Sequence, residues 1–88
     1  MNNKVLVNLK VPEIDKSFDL FLPVNKKIGN IVLLINKTLS ELTEGKYQIN
    51  SLYALFNLET KELYTADQLL LNTNIRNGTK LLLLSKTS

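Results

Sequence analysis

The sequence contains neither cysteine nor histidine. Without cysteine, no disulfide or thiolate metal site can hold the fold, and nothing points to an oxidising compartment. With both missing there is no Ser/His or Cys/His pair for nucleophilic catalysis and no familiar zinc ligand set. Glycine is scarce, and Gly29, Gly45 and Gly78 lie too far apart to form a phosphate-cradling loop. Arginine occurs once, at Arg76. The lysines are mixed with acids, as in Glu13-Ile14-Asp15-Lys16 and Lys61-Glu62, so the net charge of +3 gathers into no basic stripe. Nucleic-acid binding is therefore not expected, and the lysines read as charges that keep a leucine-rich chain soluble. Long apolar runs are also missing. The longest, residues 31–35, falls far short of the roughly 20 residues that span a bilayer. The opening residues, interrupted by Asn8 and Lys10, lack the apolar centre of a signal peptide. A cytoplasmic location without membrane insertion is the expectation. Asn36-Lys37-Thr38 and Asn77-Gly78-Thr79 match the glycosylation pattern, but with no export signal they read as chance matches.

What is present suits one hydrophobic core. The 88 residues are 44% hydrophobic and 22% charged, which predicts a single domain over residues 1–88. Val5, Val7, Leu9 and Val11 alternate with Lys4, Leu6, Asn8 and Lys10, the period of a half-buried strand. After a polar turn, Phe18, Leu20 and Leu22 alternate with Asp19 and Phe21 to predict a second strand, ended by Pro23. The period then changes. Ile28, Ile31, Val32, Ile35, Leu39 and Leu42 recur at three- and four-residue steps, predicting a helix from Ile28 to Leu42. Gly29 weakens its first turn, and Gly45 stands just past its end, where a left-handed residue closes a helix. Residues 51–58 read as a third strand, with Leu52, Ala54, Phe56 and Leu58 on one face and Tyr53 and Leu55 on the other. A turn leads to a short fourth strand at Leu63-Tyr64, a helical turn is expected over residues 67–70, and residues 79–85 form the last strand, entered through Asn77-Gly78. A hairpin, one helix and a last strand returning to the sheet define an α+β fold of β-grasp type, a five-stranded mixed sheet wrapped on one central helix.

The spacing in Leu70-Leu71-Asn72-Thr73-Asn74-Ile75-Arg76-Asn77-Gly78-Thr79-Lys80-Leu81-Leu82-Leu83 resembles that of ubiquitin. A leucine precedes an isoleucine by five residues, and Leu81 and Leu83 follow that isoleucine by six and eight. The helix opening Lys27-Ile28-Gly29-Asn30-Ile31-Val32-Leu33-Leu34-Ile35 also carries its apolar residues at ubiquitin-like spacing. Among ubiquitin-like proteins the chain is most similar to the YukD-like family that accompanies type VII, Esx-type secretion systems of Gram-positive bacteria. The Asn74-Ile75-x-x-Gly78 approach to a leucine-rich last strand carries that likeness, and Thr79, where relatives often have an acid, departs from it. The resemblance implies a non-catalytic accessory protein with no cofactor. Its partners would be components of a secretion apparatus, at the inner face of the membrane or in the cytosol, or a second copy of the chain. A ubiquitin-like modifier or sulfur carrier is the second reading, and a general cytosolic adaptor or self-assembly module the third. Modifier chemistry needs a mobile Gly-Gly tail, whereas no glycine follows Gly78 and the sequence ends Ser85-Lys86-Thr87-Ser88.

Two carboxylate pairs, Glu13 with Asp15 and Glu59 with Glu62, fall in expected turns, where acids are solvated rather than poised for acid/base work. Lys26 and Lys27 precede the helix, gain nothing from its dipole, and are expected in solvent. Tyr47 and Tyr64 are expected to cap the core edges with their hydroxyls in water. Alternation identifies a protein-binding face. If Val5, Val7, Leu20, Leu22, Leu81 and Leu83 face the helix, then Leu6, Phe21, Leu82 and Leu84 lie outside, joined by Tyr53 and Leu55 in one apolar patch.

Overall fold

Alternating apolar residues make β1 (Lys4–Val11) and β2 (Lys16–Pro23) in the computed structural model, which describes residues 3–45 and 53–85. A 3₁₀ turn at Pro12–Ile14 joins them, closed by Asp15 in the left-handed region at φ 52°. The one α-helix among the described residues, α1 (Ile28–Leu42), is followed by β3 (Tyr53–Asn57), β4 (Glu62–Leu63), a 3₁₀ turn at Leu70–Asn72 and β5 (Lys80–Ser85). The strands form one mixed sheet in the order β2-β1-β5-β3-β4, in which only the β1–β5 pair is parallel. This is the expected β-grasp. Ile28, Ile31, Val32, Ile35 and Leu39 bury the apolar stripe of α1 against Val7, Leu9, Val11, Leu22, Leu81 and Leu83. Of the expected third strand, Ser51 and Leu52 lie outside the described residues, as does Tyr47.

The start of α1 has no side-chain cap. Carbonyls from the distant segment 65–69 take that part: the Ile28 N–H donates to Gln68 O at 2.8 Å and the Gly29 N–H to Ala66 O at 2.9 Å. A Cβ on Gly29 would stand 3.1 Å from Ala66 Cβ and 3.2 Å from Ala66 O, so glycine there permits this close approach. The same docking draws residues 67–69 away from the expected helical turn, which forms instead at Leu70–Asn72. At the other end, Glu44 and Gly45 turn left-handed, with the Gly45 N–H donating to Ser40 O at 2.8 Å.

The expected facing of the third strand is overturned. Tyr53 and Leu55 do not lie on the outer face of the sheet; they are 5% and 0% exposed and face the helix. Directly paired residues share a face, and β3 pairs Leu55 with Leu83 and Asn57 with Leu81, both inward. The outward residues of β3 are Ala54 and Phe56, opposite Leu84 and Leu82.

Candidate functional site

The outer face of the sheet follows from these registers. On β2 and β1, Phe21 stands opposite Leu6, and on β1 and β5 Lys10 stands beside Leu82. Leu82 and Leu84 then adjoin Phe56 and Ala54, and Phe56 adjoins Leu63 on β4. Between these two apolar zones runs a polar row, Asp19, Asn8 and Lys80, in which Asn8 Nδ2 donates to Asp19 Oδ1 at 3.1 Å. The expected single patch is thus two. Leu82 and Leu84, both half-buried, form the larger with Phe56, Ala54 and the exposed Leu63; Leu6 and Phe21, 38% and 63% exposed, form the smaller. Phe56 and Leu63 were missed from sequence, although their pairing with the outward leucines of β5 follows once the parity of β3 is known.

Beneath this face, Asn57 is buried and fully engaged. Its Oδ1 accepts from the backbone N–H groups of Glu59 (2.8 Å) and Thr60 (3.1 Å), and its Nδ2 donates to the Tyr64 hydroxyl at 3.1 Å. Tyr64 in turn donates to Asn74 Oδ1, and Asn74 Nδ2 donates to Glu62 Oε1 at 3.2 Å. The Tyr64 hydroxyl is therefore held inside a polar network rather than standing in water as the sequence suggested. Burial raises its pKa above the ordinary 10.0; the Asn57 hydrogen bond lowers it, and the Glu62 carboxylate adds a further rise. A raised pKa contributes stability that is fully present below pH 10 and is lost as pH climbs through the folded-state value. Tyr64→Phe is expected to flatten that alkaline loss, read from melting temperatures of both proteins between about pH 8 and 11. Equal alkaline slopes in the two proteins would refute this.

The acidic pairs do other work. Glu13 accepts from the Tyr53 hydroxyl, Glu62 from Asn74, and all four carboxylate residues are exposed. Among the described residues no three acidic side chains gather to hold a metal ion, and no helix is long and apolar enough to cross a membrane. Arg76 is a staple: one guanidinium nitrogen donates to Thr73 O and Ile75 O, each at 2.8 Å. Lys26 and Lys27 are exposed, while their backbones dock on Leu70 and Leu69.

Fold and face together define a ubiquitin-like domain. The ubiquitin-like domain of the Mycobacterium tuberculosis type VII secretion system protein EccD1 is similar at a TM-score of 0.71 and 20% identity, covering 97% of this chain and 100% of that one. A chain of the MycP5-free ESX-5 inner membrane complex matches at a TM-score of 0.66 and 19% identity, over 99% of this chain and 22% of that one. A de novo design based on ubiquitin matches at a TM-score of 0.71 and 14% identity, over 100% of this chain and 95% of the design. At these identities the likeness concerns the fold. No family model matches the chain, and no curated protein does.

Proposed function

We propose that this chain is a non-catalytic accessory module of a type VII secretion system, of the YukD-like kind found in Gram-positive bacteria, acting in the cytoplasm as one ubiquitin-like domain that binds other proteins. The observation that carries this reading is the apolar patch of Leu82, Leu84, Phe56 and Leu63 on the open face of the sheet. A contiguous apolar zone rimmed by charge marks an interaction surface more than a solvent-facing one. Its rim carries Lys10 and Lys80, so the fitting partner presents an apolar centre with acids around it. The similarity to EccD1 and to the ESX-5 complex chain supports a component of such a secretion machine as that partner.

The test is capture from native cells. Leu63→Ser combined with Leu82→Ser is expected to preserve the circular dichroism spectrum and abolish recovery of secretion components. Leu6→Ser, across the polar row, is expected to leave recovery unchanged. Undiminished recovery by the double variant would remove the reading, as would wild-type capture that yields no secretion component.

A further inference from the structure

β2 is an edge strand, and the hydrogen-bond ladder fixes which of its groups remain open. The Val24 N–H donates to Asn3 O at 2.9 Å, extending the antiparallel β1–β2 pairing by one step. On β1, even-numbered residues turn instead toward β5: the Asn8 N–H donates to Thr79 O at 3.0 Å, and Leu6 O accepts from the Gly78 N–H at 2.8 Å. Antiparallel alternation then gives Lys16, Phe18, Leu20 and Leu22 to β1 and turns the main chain of Ser17, Asp19 and Phe21 outward. Pro23 adds a carbonyl but no donor. Beside this edge an open groove of about 580 Å³ runs between β2 and α1, lined on its inner side by Leu20, Leu22, Leu34, Ile35, Thr38 and Leu42. Leu34 and Leu42 are 45% and 55% exposed there.

We propose that a second copy of this chain covers the edge, β2 pairing antiparallel with β2 across a two-fold axis to make one continuous ten-stranded sheet. The edge is its own complement in one register. With Asp19 opposite Phe21 of the partner subunit and Ser17 opposite the partner's Pro23, every outward N–H on both copies meets a carbonyl, and only the Ser17 carbonyl, at the end of the ladder and open to water, lacks a donor. One step in one direction sets Asp19 against the partner's Asp19, like charges directly opposed. One step in the other sets Pro23 against the partner's Asp19, which leaves the Asp19 carbonyl without a donor inside the ladder and carries Ser17 past the end of the partner's β2, so its N–H loses a carbonyl as well. In the favoured register Leu20 lies beside the partner's Leu20, and the two grooves merge into a trough flanked by Leu34 and Leu42 of both helices. The strand added to each groove brings the apolar inner residues that fill it. A closed two-fold pair also removes the exposed edge that would otherwise recruit further chains. This inference does not depend on the secretion reading.

Sedimentation equilibrium from about ten micromolar to about one millimolar tests it. The wild-type chain is expected to dimerise, with the Ser17, Asp19 and Phe21 amides gaining hydrogen-exchange protection as concentration rises. Asp19→Pro deletes an outward donor and no backbone bond to β1, though it also removes the Asn8–Asp19 side-chain bond, and is expected to raise the dissociation constant about tenfold or more. Because that variant can also disturb folding, a charge comparison decides independently: Phe21→Glu faces the partner's Asp19 and should dissociate the dimer, whereas Phe21→Lys should retain it. A chain monomeric throughout, or a dimer that ignores both Asp19→Pro and Phe21→Glu, overturns the proposal. So does protection of those amides that appears only when an extended apolar peptide is added, which would give the edge to a foreign strand.

Discussion

Leu55→Ala is expected to lower the unfolding free energy by about 2–5 kcal/mol, because it empties a fully buried leucine site on the inner face of β3, beside Leu83 of β5. For a domain of this size that corresponds to a melting temperature lower by roughly ten degrees or more. The same change on a solvent-facing leucine would cost well under about 1 kcal/mol. Thermal and urea unfolding of Leu55→Ala beside Leu63→Ala, whose leucine is 54% exposed, therefore separates the two faces of the sheet. Similar losses for both would contradict the assignment of Leu55 to the core.

Asn57→Ala should be nearly as damaging for a different reason. It strips the acceptor from two turn amides, Glu59 and Thr60, and the donor from the Tyr64 hydroxyl, in a position only 2% exposed. The expected loss is about 2 kcal/mol or more, since unsatisfied buried groups cost more than the bonds they made were worth. The turn that Asn57 braces also holds Lys61 left-handed at φ 63°, with its N–H donating to Asn57 O at 2.8 Å. Hydrogen exchange should therefore show Glu59 and Thr60 losing protection before the rest of the sheet does. Asn57→Leu refills the volume without the bonds, so its stability decides between packing and polarity. Full retention of wild-type stability by that variant would mean the network is dispensable.

Asn57 also explains why the sequence misled at β3. Counting apolar residues by parity favours Leu52, Ala54, Phe56 and Leu58 as the inward set, because the true inward row ends in an amide. A polar residue in a core is legible only when its partners are known, and Tyr64 and the 58–61 turn are not adjacent in any periodic pattern. Where periodicity was unbroken, reading was straightforward: β1 and α1 have the expected bounds, and Leu82 and Leu84 turn outward as alternation requires. Splitting the outer patch needed more than alternation. The Asp19, Asn8 and Lys80 row separates Phe21 and Leu6 from Leu82 only because β1 and β5 pair in one particular parallel register. The start of α1 was placed correctly by its apolar stripe, yet its capping groups come from residues 66 and 68, beyond the reach of any local signal.

The place of β5 between β1 and β3 carries a consequence for how the chain acquires its shape. Among the described residues the N-terminal hairpin and the β3–β4 pair share no ladder with each other; each is joined to the sheet through β5, which follows the other four strands in the sequence. A nascent chain can make the hairpin and much of α1 on the ribosome, but two half-sheets with bare edges must await Lys80–Ser85. Any delay in delivering the β5 leucines leaves both halves open to the wrong strand.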